Sequence, residues 1–228
     1  VSGGHPLIVA IDGPAGVGKS TVSRRLARRL GVPYLDTGAM YRALGLHVLQ
    51  NGVDPADRAA VEAVTARAEV SLQAGEDGRF EVLLDGAPVE ARIRTPEVSE
   101  ATSTISTYPE VRRRMVALQQ AAARRLGGVL EGRDIGTRVF PGTPHKFFLT
   151  ARTDVRARRR LAELAAAGRD LPFEQVLDDL ERRDRRDSTR EDSPLTHDAS
   201  YTLVDTSDRT IDEVVEAMAK LVETSSAA

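Results

Sequence analysis

Residues 13–20 read Gly-Pro-Ala-Gly-Val-Gly-Lys-Ser, an arrangement whose chemistry is the cradling of a phosphate chain. Gly13, Gly16 and Gly18 alternate with Pro14, Ala15 and Val17. With no side chains at Gly16 and Gly18, the loop can curl until its amide N–H groups converge on an anion. Lys19 then supplies a positive charge able to reach β- and γ-phosphates, and Ser20 a hydroxyl suited to Mg²⁺. Thr21 adds a second hydroxyl beside them. An apolar run, Leu7 to Ile11, precedes the loop, and an Arg/Leu/Ala-rich helical pattern follows it. That strand–loop–helix order is the context the spacing G-x-x-x-x-G-K-[ST] requires, and the helix adds the positive end of its dipole.

A phosphate loop says what is held, not what happens next. Arg42, Arg133 and Arg190 fall at loops or helix starts on the expected C-terminal edge of a parallel sheet, where open α/β folds bind ligands. Forked guanidinium groups match phosphate oxygens in pairs, which points to phosphoryl transfer onto a small anionic acceptor. The span 152–190 holds eleven Arg and nine Asp or Glu, a surplus of only two positive charges. That balance does not make a basic track for a nucleic-acid backbone. Gly168 and Pro172 break the span into a helical hairpin, read as a lid that closes over both ligands and excludes water. Arg156 and Arg159 on it are candidates for neutralising charge during transfer; the remainder suits a solvated, salt-bridged face.

The elements that must position these groups follow in order. The first helix is predicted from Ser20 to Leu30, with Gly31 just past its end. Val32 to Leu35 reads as a short strand, 36–38 as a loop, and Ala39 to Gln50 as a helix that Thr37 could cap. Asp57 to Ala68 is a further helix. From about Glu69 to Arg94 the period changes: EVSLQAG, DGRFEVLLDG and APVEARIR alternate, separated by turns at 76–78 and 85–86, and predict a small antiparallel sheet riding on the main domain. Thr95 to Glu100 starts another helix, Pro109 interrupts it, and Val111 to Leu126 reads as a strong one. VLEG is a short buried strand, residues 133–145 a ligand-side loop, and Lys146 to Thr150 the next strand. Tyr201 to Asp205 is the last strand, Thr210 to Val222 the last helix, and the SSAA end reads as disordered. Alternating helices and buried strands predict an α/β fold.

With 228 residues the chain makes one domain with a small insert. A net charge of -2 gives no general case for nucleic acid, and Cys 0 leaves neither disulfide nor cysteine metal site. There is no membrane-length apolar run and no secretory pattern near residue 1, so the expected home is the cytoplasm. His5, His47, His145 and His197 show no metal spacing.

GPAGVGKST, LDTGAMYR, TPEVSE, GRDIGTRVFP, RRDSTREDSPL and the final DTS together resemble the bacterial cytidylate kinase family, from about Ile8 to the C-terminal helix. The combination of GRDIGT with RDSTR and SPL narrows the field, since many NTPases share the first motif. The resemblance implies a P-loop NTPase of the nucleoside monophosphate kinase type. Its parallel five-stranded core would lie in 5–36, 127–150 and 200–223. A monophosphate-binding region would occupy 37–126, with the extra small sheet at about 69–94, and the lid 152–190. It implies ATP bound by residues 13–21 with Mg²⁺ near Ser20, and CMP or dCMP as acceptor. Arg42, Arg133 and Arg190 would then clamp the acceptor phosphate. Ser103, Arg112 and Asp134 would meet the base, Arg183 and Asp187 the ribose, and Thr37 and Tyr41 would line the same pocket. A monomer acting on small molecules, without nucleic acid or membrane, is expected.

The residues themselves leave alternatives open. Arg42 fits an ordinary solvated helix position, Asp134 a pairing with Arg133, and Asp187 a lid salt bridge. Arg112 could be one more helix-face arginine, and Ser103 a hydroxyl bonded back to its own helix. Asp36 would either orient a magnesium water or only shape its turn. Two other activities share these features: a kinase with another acceptor, such as UMP or AMP, and a nucleotide-gated regulatory module.

Overall fold

The computed structural model describes residues 6–74 and 80–226. Five parallel strands form the central sheet: β1 (Ile8–Asp12), β2 (Tyr34–Asp36), β6 (Gly128–Glu131), β7 (His145–Thr150) and β8 (Thr202–Asp205), in the order β2-β6-β1-β7-β8. The central strands read as continuous apolar runs because helices cover both faces. On one face, α1 (Lys19–Leu30) and α8 (Ile211–Ser226) bury Val22, Leu26, Met218 and Val222 against Val9 and Ile11. On the other, α2 (Thr37–Gln50), α4 (Pro96–Ile105) and α5 (Pro109–Leu126) pack Met40, Leu44, Ile105 and Met115 over Ala10 and Leu130. Close crossing of α2 on α4 depends on Gly45, where a Cβ would lie 2.4 Å from the Thr102 hydroxyl. Gly31 ends α1 in the left-handed conformation, as its place in the sequence predicts.

The short helix α3 (Arg58–Thr65), capped by the Asp57 side chain, leads into the antiparallel sheet of β3 (Val70–Ala74), β4 (Phe80–Leu84) and β5 (Ala87–Pro88). Val70, Val82 and Leu84 join the same core as α2, so the insert has no core of its own. Of the expected turns, the one at 76–78 lies outside the described residues, and Asp85 (φ 51°) and Gly86 (φ 78°) make the other. APVEARIR is not a full strand. Pro88 cannot donate to the ladder, and the chain turns so that Val89 and Ile93, four apart, both point inward, with Ile93 N donating to Val89 O at 3.1 Å.

Other expectations also need correction. Pro109 opens α5 as its first residue rather than interrupting a helix. The 133–145 loop contains a π-helical turn, Ile135–Val139. The last helix continues to Ser226, through the first half of the SSAA end; Ala227 and Ala228 lie outside the described residues. Residues 152–190 form the predicted hairpin, α6 (Thr153–Ala166) and α7 (Phe173–Thr189), with Ala157, Leu164, Val176 and Leu180 as a small core of its own. Among the described residues no helix is long and apolar enough to cross a membrane.

Candidate active site

At the C-terminal edge of the sheet the phosphate loop runs from β1 into α1. Gly13 (φ 145°) passes so close to β7 that a Cβ would sit 2.2 Å from Leu149 O. Gly18 (φ 87°) precedes α1 with no side-chain cap, and the first turn holds no acidic residue. The opening amides and the positive helix end are therefore left for an anion. Lys19 Nζ donates to Gly13 O (2.7 Å) and Pro14 O (2.6 Å). Burial, then the charge of Arg133, pushes the Lys19 ammonium well below its ordinary value. Val17 turns inward as part of the core.

A cleft of about 420 Å³ opens in front of the loop. Its walls bring together Ala15, Gly16, Lys19, Ser20 and Thr21 from the loop side with Thr37, Tyr41 and Arg42 of α2. Ser103 and Arg112 enter from α4 and α5, Arg133 and Asp134 from the turn after β6, and Arg183, Asp187 and Arg190 from the end of α7. Residues spread over more than 170 positions of sequence thus face one space.

Pairing inside the cleft decides several of the open alternatives. Asp134 pairs with Arg112, not with Arg133, in a buried ion pair; Arg112 Nη1 also donates to Ser106 O (3.1 Å), and its guanidinium lies 5.6 Å from the Tyr41 ring centre. Arg133 Nε donates to Asp187 (2.8 Å) and Arg190 approaches the same carboxylate at 3.8 Å. Burial pushes the Asp187 carboxyl up, but Arg133 and Arg183 outweigh it and hold the group below its ordinary value. Arg42 is not a free helix arginine: it donates to Asp36 at 2.8 Å. Asp36, rather than Thr37, caps α2 by accepting from Ala39 N (2.9 Å), so the helix starts two residues early and Thr37 donates instead to Glu131 O (2.6 Å). Ser103 accepts from Arg186 (2.6 Å) rather than bonding back to its helix.

What remains unpaired shows what the cleft awaits. Arg183 Nε, Arg190 Nη2 and Arg42 Nε are buried without a partner. Burial, and then the like charge of Arg133, lowers Arg183 to about 10. Cations held this close together, with donors unused, call for an anion.

Arg156 and Arg159 do not line the cleft. Arg156 is committed to Asp184 (2.6 Å) and Ala15 O (3.2 Å), and Arg159 to Thr206 O (2.6 Å). From α6 it is Arg160 that reaches the cleft wall. Sequence reasoning also missed Glu131, the last residue of β6. Tyr34 donates to one of its carboxylate oxygens, the other is buried without a partner, and Ser20 lies against the group. Burial and Asp36 raise its pKa. Its signal was present, since an acidic residue ending an apolar strand beside the phosphate-loop strand faces the ligand edge.

The chain is similar to known proteins over nearly its whole length. The chain is 54% identical to the cytidylate kinase of Corynebacterium glutamicum over 220 residues, 96% of this chain and 95% of that protein. It is 50% identical to the cytidylate kinase of Nocardia farcinica, over 95% and 94% of the two chains. A crystal structure of an uncharacterised protein from Eubacterium ventriosum, 13% identical, shares the fold with a TM-score of 0.52 over 96% of this chain and 98% of that one. The model of the cytidylate kinase family matches residues 9–224, from β1 through nearly all of α8, and with the loop, the arginine cluster and the Arg112–Asp134 pair in one cleft, the chain belongs to that family.

Proposed function

We propose that the protein transfers the γ-phosphoryl group of ATP to the 5′-phosphate of CMP or dCMP, giving ADP and the cytidine diphosphate. The observation that carries this reading is the buried Arg112–Asp134 pair. Side by side it presents a donor and an acceptor. The pyrimidine edge of cytosine offers the complement: an N4 amino donor beside the N3 acceptor. Uracil reverses both, with an O4 acceptor beside an N3–H donor. A reversed edge would leave buried partners unsatisfied, at about 1–3 kcal/mol each.

The unpaired donors of Arg42 and Arg190, with Arg133, hold the acceptor phosphate, while Asp187 keeps Arg133 and Arg190 aimed and, with Arg183, meets the ribose. The acceptor phosphate is itself an anionic nucleophile, so no general base is needed, and no histidine is among the described residues lining the cleft. Transfer then rests on alignment and charge neutralisation by the loop amides, Lys19 and the arginines. Arg160 on the cleft wall joins Arg156, which rests against the phosphate loop, and Arg159 as lid cations available to neutralise charge.

Ser20 and the unpartnered Glu131 oxygen, two hard oxygen donors, are the groups that would hold Mg²⁺. When bound, the ion neutralises charge on the phosphates of ATP. Glu131→Gln is expected to weaken Mg-ATP binding about tenfold while leaving metal-free ATP binding unchanged; calorimetry with and without Mg²⁺ decides, and equal loss in both would contradict the placement.

The protein acts in this reading as a cytoplasmic monomer on small nucleotides, without nucleic acid. The test is coupled ADP release with Mg-ATP and CMP, dCMP, UMP, AMP or shikimate. Fast turnover with CMP and dCMP and weak turnover with UMP is expected. Turnover with none, while ATP still binds, would overturn the acceptor site.

A further inference from the structure

Asp12 is the last residue of β1, fully buried, and not part of the cleft wall. One of its oxygens accepts from Ile135 N (2.8 Å) and the other from Gly136 N (2.9 Å) and the Tyr201 hydroxyl (2.8 Å). Those two amides open the π-helical turn and have no partner within it, as at the start of any helix. Buried N–H groups must be satisfied, and a carboxylate can accept from both at once. Packing reinforces the contact: a Cβ on Gly136 would lie 2.5 Å from the Tyr201 hydroxyl, so the turn sits directly on that ring.

The residues just before the clamped amides are Arg133 and Asp134. Asp134 has extended φ (−149°) and ψ near 27°, a conformation set by what precedes and follows it. Arg133 leaves the backbone toward Asp187, and Asp134 toward Arg112. A shift of the turn would re-aim both. We propose that Asp12 is a positioning residue for the acceptor: from the strand that carries the phosphate loop, it sets the direction of the two side chains that hold the acceptor's phosphate and base. This rests on the assignment of Arg133 and Asp134 to the acceptor. One carboxylate thereby ties the donor-binding and acceptor-binding halves of the site to each other, although it touches neither ligand.

The test is Asp12→Asn, with CMP and Mg-ATP binding measured separately by calorimetry and the CMP:UMP ratio of kcat/KM measured alongside. Asparagine keeps the volume but turns one acceptor into a donor facing a backbone N–H or the Tyr201 hydroxyl. The CMP dissociation constant is expected to rise about tenfold or more, the ratio to fall, and Mg-ATP binding to stay within about twofold. Unchanged CMP affinity, or equal weakening of both ligands, overturns the proposal and leaves the acceptor site standing. A wild-type protein that binds Mg-ATP but not CMP overturns the acceptor assignment itself, and the proposal with it. Should the asparagine variant not fold, Tyr201→Phe removes one of the three bonds. It is expected to weaken CMP about threefold with ATP unaffected, and CMP affinity equal to wild type overturns the proposal.

Discussion

Replacing Lys19 with alanine is expected to lower turnover about a thousandfold or more, with the fold intact. In the free protein its ammonium rests on two carbonyls of its own loop, Gly13 O and Pro14 O. That holds the charge beside the space the phosphates enter. Burial and Arg133 disfavour the charged form there, so removing it relieves repulsion in a crowded cationic cleft. Thermal stability should therefore change little, which separates chemistry from folding. A second readout follows from the sign of the shift. An arriving triphosphate favours the ammonium, raising the depressed pKa toward its ordinary value. Mg-ATP binding should therefore be accompanied by more proton uptake in wild type than in Lys19→Ala, as calorimetry in buffers of different ionisation enthalpy across a pH series will measure. Near-wild-type turnover in the variant would contradict the role.

Asp134→Ala should abolish most of the cytosine preference and also destabilise the protein. Its partner Arg112 is only 2% exposed, with its Nε already unpartnered. Removing one member of a buried ion pair leaves an uncompensated charge, at a cost of about 3–5 kcal/mol. The specificity effect is distinct from this loss. Without the carboxylate, nothing accepts from N4 and nothing repels O4, so the CMP:UMP ratio of kcat/KM should fall toward one. Comparing the ratio, rather than either rate, cancels a general fall in folded enzyme. A ratio equal to wild type would count against the base-reading role. Asp134→Asn, which can still present an oxygen, should lose less stability and keep part of the preference.

Much of the architecture was legible because it is written in local patterns. The run from Leu7 into a glycine-rich loop, the Gly31 stop and the helix start at Thr95 each express a rule acting over a few residues, and each recurs in the structure. The period-two stretch before Arg94 likewise marked the inserted sheet. Local patterns failed where a neighbour distant in sequence decided the outcome. APVEARIR alternates like a strand, but Val89 and Ile93 are drawn inward by the core under α2 and the chain turns instead. Residues 133–145 look like loop, but Asp12, more than a hundred positions away, satisfies the amides that let a π-helical turn form there. Thr37 looks like a cap, but the Glu131 carbonyl claims its hydroxyl and Asp36 takes the helix end.

The same division runs through the site. Residue types and spacing by themselves pointed to a loop built to cradle a phosphate chain and to arginines suited to a second anion, because a loop's amides and a forked cation act through chemistry carried in adjacent positions. Tertiary structure alone decided the pairings. Asp134 goes to Arg112 and Asp187 to Arg133, Arg156 settles on Asp184 and the back of the phosphate loop and Arg159 on Thr206 while Arg160 reaches the cleft wall, and Glu131 is left with an unpartnered oxygen beside Ser20. Charges of either sign are abundant along this chain, and sequence does not rank their encounters. Burial does, because in a low-dielectric cleft each charge must settle on the partner the backbone delivers, or remain open for the ligand.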